Sequence, residues 1–395
     1  MNKSEVKEKV SHIVNDLISI RRHLHSNPEL SFVEEKTSRY ISNLLTDWKI
    51  PHETGIGGFG IVGLIKGNNP DSKVIALRAD MDALPVTEQN TIHYSSLNKG
   101  VMHACGHDVH MTCLLGAVKI LNENRNSFNG TVKFIFQPAE ETLPGGAIKM
   151  IQDGVLENPK VDLILGLHVF PEIEVGKVGI KPGPYMASTD ELNLTITGRG
   201  GHAAIPSSFD DTVYSASEII VNIKRAIEDQ APGGFPTVLS FGKIIADGAY
   251  NVIPPEVTIK GTFRTFSESW RKQVHNIINE ISAETASKHN TKCEVFINSG
   301  YPVLENDEHL TIKFKQASSE FIGEENVLNL KERTTGEDFA RFTQLIPGCF
   351  FRLGVANKEK GITSNLHTPT FNVDESSIEI GAGLMIWNAL RILND

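Results

Sequence analysis

Short apolar runs alternate with amphipathic stretches over the first part of the chain. The apolar runs have the length of buried strands and occupy residues 59–66, 73–78, 131–136 and 161–168. The amphipathic stretches repeat apolar residues at helical spacing and occupy residues 4–25, 32–47, 108–123 and 146–153. This alternation predicts an α/β fold in which helices cover a mixed sheet.

The pattern changes after residue 184. A strand, a helix, two strands, a helix and a strand are predicted at 191–197, 209–229, 237–245, 252–265, 267–289 and 293–297. This βαββαβ order is typical of ferredoxin-like domains. Beyond Gly300 the mixed α/β character returns. We therefore expect a discontinuous domain, residues 1–185 and 300–395, interrupted by an inserted domain at 186–299.

Polar residues follow three of the predicted strands. Asp80 and Asp82 come after one apolar run, Glu140 and Glu141 after another, and His168 ends a third. The carboxyl ends of strands in an open α/β sheet form the edge where ligands bind. We expect these side chains to meet at that edge.

Residues 103–108 read His-Ala-Cys-Gly-His-Asp and precede an apolar helical run. They place the thiol of Cys105 two residues from the imidazole of His107. Thiolates and imidazoles are common ligands of metal ions in proteins. Taken alone, each of these residues is more often structural. Their joint occurrence with Glu141, His168 and His367 predicts a metal site.

Composition narrows the classes of function. The 395 residues are 40% hydrophobic and 22% charged, which is ordinary for a globular chain with a sizeable core. A net charge of −10 without a basic block argues against nucleic acid as a partner. No apolar stretch is long enough to span a membrane, the first residues lack a signal-peptide core, and the four cysteines are scattered. We expect a cytoplasmic protein without disulfides that acts on a small molecule.

Several motifs together resemble one known family. They are Arg-Arg-His-Leu-His-x-x-Pro-Glu-Leu at 21–30, Arg-Ala-Asp-Met-Asp-Ala-Leu-Pro at 78–85, the 103–108 motif, Gln-Pro-Ala-Glu-Glu at 137–141, Gly-Leu-His at 166–168, Gly-Gly-His-Ala-Ala-x-Pro at 200–206, Asn-Val-Ile-Pro at 251–254 and Leu-His-x-Pro-x-Phe at 366–371. The chain resembles the amidohydrolase branch of the dinuclear aminoacylase and carboxypeptidase metallohydrolases. That branch includes N-acyl-amino-acid amidohydrolases, hippurate hydrolases, N-acetyl-diaminopimelate deacetylases and auxin-conjugate hydrolases.

The resemblance implies a dinuclear catalytic domain and a smaller lid that also forms a homodimer. It makes Glu140 the general base. The implied ligands of two divalent metal ions are Cys105, His107, Glu141, His168 and His367. Cysteine favours zinc, while relatives with this site also use manganese, nickel or cobalt.

Other roles follow from the same resemblance. Asp82 aligns with an acid that orients a ligand and Asp80 with a histidine ligand of related branches, and which aspartate matters more stays open. His202, reaching the site from the partner subunit, is implied to polarise the substrate carbonyl. Asn251 and Arg264 are implied to bind the substrate, with Glu337 in the site wall. His23, His25, His103 and His110 are expected to pack or to support other groups.

The sequence thus predicts a metal-dependent amidohydrolase that cleaves N-acyl amino acids into a carboxylic acid and an amino acid. One departure from the family concerns Ser207, because relatives often have a histidine after Pro206. Two alternatives stay open. A dipeptidase or aminoacylpeptidase would need to recognise a free α-amino group. A catalytically silent, metal-stabilised binding protein would be expected to lack Glu140.

Overall fold

The computed structural model describes residues 1–394, which form two compact units. The first unit comprises residues 1–183 and 305–331 together with the chain from Glu337 onward. The second comprises residues 184–304 and 332–336. Both units combine helices with a sheet, so the predicted α/β class is confirmed. Among the described residues, no helix has the length and apolar character that a bilayer crossing requires.

Nine helices are found within residues 1–394. They are α1 (Lys3–Ser26), α2 (Glu35–Asp47), α3 (His107–Glu123), α4 (Gly146–Gln152), α5 (Thr212–Gln230), α6 (Glu268–Lys288), α7 (Glu308–Ile322), α8 (Ala340–Thr343) and α9 (Ser376–Leu393). The start of α1 shows how local sequence sets a boundary. The Asn2 side chain accepts a hydrogen bond from the Glu5 amide, and the Glu5 carboxylate accepts one from the Asn2 amide. This capping box satisfies backbone groups that the first helical turn leaves unpaired.

The strands of the same residues are β1 (His52–Ile56), β2 (Gly60–Lys66), β3 (Val74–Asp80), β4 (Thr131–Gln137), β5 (Leu163–Glu174), β6 (Val178–Ile180), β7 (Gly183–Met186), β8 (Asp190–Thr197), β9 (Gly201–His202), β10 (Thr237–Ala246), β11 (Val252–Ile253), β12 (Glu256–Thr265), β13 (Lys292–Ser299), β14 (Leu304–Asn306), β15 (Val327–Asn329) and β16 (Gly348–Ala356).

The first unit contains a mixed eight-stranded sheet in the order β1-β2-β4-β3-β5-β16-β6-β15. β3 runs parallel to β4 and β5, and β16 runs parallel to β5 but antiparallel to β6. β1 and β2 form an antiparallel edge. The sheet is therefore mixed, as the sequence predicts. Its inner strand β16 comes from the C-terminal part of the chain.

Both faces of this sheet are covered, which explains why its strands read as continuous apolar runs. Leu77, Phe134 and Leu167 belong to the main hydrophobic core, to which α1, α3, α7 and α9 also contribute. Because side chains alternate along a strand, the neighbours of these residues face the opposite layer. There the Arg78 guanidinium lies over the Phe339 ring, 5.8 Å from its centroid.

The second unit has the predicted βαββαβ order, with a separate antiparallel sheet ordered β10-β12-β8-β13. α5 and α6 supply Ile219, Ile223 and Val274 to its own core. One predicted element differs. The strand expected at 252–265 is split into β11 and β12 by Pro254 and Pro255. Proline has no amide hydrogen for a strand ladder, so pairing is interrupted there.

Two glycines with nearly the same positive φ allow a test of how tightly the start of α3 packs against its neighbours. Gly106 precedes α3 with φ of 80°, and a Cβ there would lie 2.5 Å from Val169 Cγ2. Gly154 has φ of 82°, and a Cβ there would have no atom within 4 Å. Gly154→Ala should lower the free energy of unfolding by about 1–2 kcal/mol through strain alone. Gly106→Ala should cost about 2–4 kcal/mol, because overpacking is added.

Denaturant unfolding of the metal-free proteins measures both effects. Equal losses at the two positions would show that the contact with Val169 is not a tight one.

Candidate metal centre

Three neighbouring strands bring polar residues to one edge of the first unit's sheet. β3 ends at Asp80, β4 ends at Gln137, and β5 carries His168. Because β3 is parallel to both neighbours, the segments that follow these strands meet at the same edge. Glu140 and Glu141 follow β4 at this edge. The sheet order thus gathers residues that are distant in sequence.

The start of α3 adds two further donors. Gly106 takes a left-handed conformation at the N-cap, and His107 is the first helical residue. The thiol of Cys105 and both imidazoles, those of His107 and His168, have donor atoms within 4.8 Å of one another. The pair predicted from a short motif therefore joins a histidine from β5.

The donor atoms of the five predicted ligands form two overlapping groups. Cys105 belongs to one group with His107 and His168 and to another with Glu141 and His367. Its sulfur lies 3.3 Å from His168 Nε2 and 3.4 Å from His367 Nε2. The arrangement offers donor sets for two metal ions, with Cys105 common to both.

Backbone carbonyls fix the orientation of two imidazoles. His107 Nδ1 donates a hydrogen bond to the Asp82 carbonyl oxygen at 2.8 Å, and His168 Nδ1 donates one to the Val169 carbonyl oxygen at 2.7 Å. In the neutral form of each ring, a proton on Nδ1 leaves the lone pair on Nε2. Both Nε2 atoms are therefore available as ligands.

Buried polar atoms without a hydrogen-bond partner indicate whether these residues can hold a metal ion. His107 Nε2 and Glu141 Oε1 are buried and have no hydrogen-bond partner among the described residues. Glu141 Oε1 lies 3.9 Å from His107 Nε2 and 3.3 Å from His367 Nε2. Leaving such groups unpaired is costly, and a cation placed among them removes that cost. The residues present fit a divalent metal.

The electrostatics also favour a cation. Although burial opposes its charge, the carboxylates of Asp80 and Asp82 raise the pKa of His107 to about 10. Burial, with Glu141 and Glu140 nearby, raises the pKa of the Cys105 thiol well above its usual range. The contribution of the carboxylates to both shifts reflects a negative potential. A metal ion reverses this effect on a thiol, because coordination favours the thiolate.

The two aspartates of the Asp80-Met81-Asp82 segment have different partners. Asp82 Oδ1 lies 3.3 Å from His107 Nδ1, and Asp82 Oδ2 accepts a hydrogen bond from the Glu141 amide at 2.9 Å. Asp80 instead accepts hydrogen bonds from His110 at 2.6 Å and from Arg78 at 2.7 Å. Asp82 thus contacts two predicted ligands directly, whereas Asp80 is held by Arg78 and His110.

Glu140 lies in a buried group of carboxylates. Oxygen atoms of Glu140, Glu337 and Asp338 lie within 4.8 Å of one another. The Asp338 amide donates to Glu140 Oε1 at 3.4 Å. Arg78 bridges to Glu337 at 3.1 Å and to Asp338 at 2.9 Å. Burial and the neighbouring carboxylates, first that of Glu337, raise the pKa of Glu140 well above its usual range.

Sequence reasoning did not select Arg78 or Asp338. Arg78 is a charged residue inside an otherwise apolar strand, and such a residue requires buried partners of opposite charge. Asp338 adjoins the predicted residue Glu337. The isolated charge of Arg78 could be seen in the sequence, but its partners could not be identified before the fold was known.

Histidines expected to pack have more specific surroundings. His25 is buried and forms hydrogen bonds with Asp108 at 2.8 Å and with Glu88 at 3.1 Å. Arg21 also donates to Asp108, at 2.7 Å. These residues tie α1 to the first turn of α3. His103 is buried without a hydrogen-bond partner within residues 1–394, and burial lowers its pKa to about 4.

Three predicted site residues belong to the second unit. His202 lies on β9 and is paired with Val252 of β11. Its neighbour Ala203 donates a backbone hydrogen bond to Asn251 at 3.0 Å, so His202 and Asn251 lie close together. Arg264 lies on β12, where its guanidinium donates to the Asp190 carbonyl oxygen at 3.3 Å. Glu337, by contrast, belongs to the first unit beside Glu140.

Comparison with known proteins identifies a family and close relatives. The model of "Peptidase family M20/M25/M40" matches residues 76–386. An N-acetyl-L-cysteine deacetylase of Bacillus subtilis is 37% identical over 385 residues, which are 98% of this chain and 90% of that protein. An N-acyl-L-amino acid amidohydrolase of Geobacillus stearothermophilus is 40% identical over 309 residues, which are 78% of this chain and 83% of that protein.

A solved structure of a metal-binding protein has the same fold. The crystal structure of a dinuclear metal-binding M20 peptidase from Bacillus subtilis superposes with a TM-score of 0.84 at 32% identity. The match covers 97% of this chain and 99% of that chain.

Two cysteines of the first unit provide a test of metal binding. Cys105→Ser should weaken metal affinity by on the order of 10–100-fold, because a hydroxyl is a much poorer ligand than a thiolate. Cys113→Ser is the matched control, since Cys113 is buried on α3 but belongs to neither donor group. Metal content by elemental analysis and affinity by competition with a chelator measure the difference. Unchanged metal binding in Cys105→Ser would exclude Cys105 as a ligand.

Proposed function

The chain belongs to peptidase family M20/M25/M40, as its motifs predict, and on this premise we propose that it hydrolyses the amide bond of N-acyl amino acids. The products are a carboxylic acid and a free amino acid. The observation that carries the proposal is the pair of donor groups that share the buried Cys105, with the Glu140 carboxylate beside them. The names of the deacetylase and the amidohydrolase, both acting on acylated amino acids, support this substrate class.

The ligands of the two divalent metal ions would be Cys105, His107, Glu141, His168 and His367. When bound, such ions act as Lewis acids on the substrate carbonyl and on water. The thiolate favours zinc, and manganese, nickel and cobalt are the other candidates.

Glu140 would serve as the general base. It accepts a proton from the attacking water as the new C–O bond forms, and it returns that proton to the leaving nitrogen as the C–N bond breaks. Asp82 would position His107 and the Glu141 backbone through the contacts described above. Asp80 would act less directly, through Arg78 and His110.

We propose that residues 186–299, which make up most of the second unit, form the lid and dimerisation domain between the catalytic segments 1–185 and 300–395. His202 of one protomer would donate a hydrogen bond to the substrate carbonyl in its partner's site. Asn251 and Arg264 would bind the substrate carboxylate or carbonyl, and the planar guanidinium of Arg264 suits a carboxylate. Glu337 would belong to the site wall beside Glu140.

A homodimer formed through the second unit is supported by its surface. Tyr214, Tyr250 and Val252 line one hollow, and all three side chains are exposed. Exposed apolar side chains that cluster in this way are typical of interaction sites. We also propose a cytoplasmic location, since Cys105, Cys113, Cys293 and Cys349 are all free.

The proposed reaction is tested by release of free amine from a panel of N-acetyl, N-benzoyl and dipeptide substrates with added metal. We expect turnover of acylated amino acids. Glu140→Gln should keep the fold and both metals but lower kcat by about 10³-fold or more, because proton transfer and water positioning are lost together. Preferred cleavage of dipeptides would favour a peptidase instead. Near-wild-type activity of metal-loaded Glu140→Gln would exclude Glu140 as the base.

A mixing experiment tests the composite site. Glu140→Gln and His202→Ala chains should each be inactive alone. After subunit exchange, a hybrid dimer contains one site with an intact Glu140 and an intact His202 from the partner subunit, so part of the activity should return. Labelled chains analysed by native mass spectrometry verify that exchange occurred. Verified hybrids without activity would contradict a role for His202 across the interface.

A further inference from the structure

The loop between α1 and α2 contacts the turn of residues 138–141, which follows β4 and contains Glu140 and Glu141. It is attached to the same sheet edge, because the Ala83 amide donates to the Glu29 carbonyl oxygen at 2.8 Å. Ser31 Oγ donates to Asp82 Oδ2 at 2.6 Å, and that oxygen also accepts the Glu141 amide. Ser31 therefore acts on the turn indirectly. A second side chain of the loop acts on it directly.

That second side chain is Glu34, which is buried with 0% exposure. Its Oε1 accepts two backbone hydrogen bonds, one from Ala139 at 2.8 Å and one from Phe32 at 3.0 Å. Both of these residues have left-handed backbones, with φ of 53° at Ala139 and 66° at Phe32. Such a conformation is strained in residues other than glycine and persists only where the surroundings stabilise it. One carboxylate oxygen stabilises both.

The conformation of Ala139 matters because it immediately precedes Glu140 and Glu141. The turn is closed on its other side by the Gly146 amide, which donates to the Ala139 carbonyl oxygen at 2.9 Å. A Cβ on Gly146 would lie 1.8 Å from the Pro138 carbonyl oxygen, so the backbones of Gly146 and Pro138 are in close contact. The direction in which both glutamates leave the backbone is therefore set at Ala139.

The surroundings of Glu34 favour a hydrogen-bonding role over a charge role. Its second oxygen, Oε2, is buried and has no hydrogen-bond partner within residues 1–394. Burial and the Asp82 carboxylate raise the pKa of Glu34 to about 7. Neither feature stabilises a negative charge. Glu34 therefore acts through Oε1 as a hydrogen-bond acceptor.

We propose that Glu34 is a positioning residue for the active site, whose acceptor oxygen holds Ala139 in its left-handed conformation and thereby aims Glu140 and Glu141. Its consequence for turnover rests on the proposed function, but its consequence for the turn does not. Glu34 acts through the Ala139 amide.

Two substitutions separate reach from charge. Glu34→Gln keeps an acceptor oxygen at the same distance and removes the charge, whereas Glu34→Asp keeps the charge and is shorter by one methylene. Glu34→Gln should retain kcat within about threefold. Glu34→Asp should lower kcat by about 10–100-fold with KM little changed, because both glutamates are displaced. Glu35→Gln and Glu35→Asp are matched controls, since the Glu35 side chain is 72% exposed.

Hydrogen exchange of the Ala139 amide provides a readout that needs neither metal nor substrate. In the metal-free protein, Glu34→Asp should speed exchange of this amide by about tenfold or more, because its acceptor is lost, while Glu34→Gln should not. If the wild-type protein proved inactive on N-acyl amino acids, the proposed function would fail while this measurement still decided the role of Glu34.

A glycine provides the rescue. Ala139→Gly introduced into Glu34→Asp should restore part of kcat, because glycine adopts positive φ without strain. A general loss of stability would not be corrected at this position. The proposal fails if Glu34→Asp has the wild-type exchange rate of the Ala139 amide and the wild-type kcat. It also fails if Glu34→Gln has faster exchange of this amide and a lower kcat. Should Glu34→Asp not fold, the Glu34→Gln result alone decides, because the proposal requires it to resemble wild type.

Discussion

Burial of several carboxylates at one edge of a sheet is the constraint on which the rest of this structure depends. Like charges in a low-dielectric environment repel each other strongly, so each must find a positive partner or a hydrogen-bond donor. Arg78 provides this for Asp80, Glu337 and Asp338. Glu141 Oε1 has no such donor among the described residues. This oxygen lies 3.9 Å from His107 Nε2 and 3.3 Å from His367 Nε2, which belong to two of the other predicted metal ligands.

The site is built in layers that depend on the backbone as much as on side chains. Carbonyl oxygens of residues 82 and 169 orient two imidazoles, and backbone amides of residues 139 and 141 are held by acidic side chains. Backbone groups move little once the sheet has formed, so they orient ligands more rigidly than long side chains do. The predicted ligands His107 and His168 are thus oriented by backbone groups rather than by one another.

The sequence predicts much of this arrangement because the relevant signals are local. Apolar runs and helical spacing identify the elements within a few residues, and the residue types Cys, His and Glu identify metal donors. The acidic cluster is different. Arg78 and Glu337 are separated by 259 residues, and only the order of strands brings them together. Glu34 was missed for a related reason, since its partner is a backbone amide, which has no sequence signature. The split of one predicted strand at Pro254 and Pro255 was visible as a local signal but was not used.

The order of strands in the first unit's sheet has a consequence for synthesis of the chain. β5 and β6 are close in sequence, yet β16 lies between them in the sheet. A ribosome that has made residues 1–300 has produced the segments on both sides of this position but not the strand that joins them. His367 is made later still. At that stage the nascent chain has an incomplete sheet and four of the five predicted metal ligands, whereas every helix and strand of the βαββαβ order has been made. Translation of the C-terminal region then completes first the sheet and afterwards the predicted set of ligands.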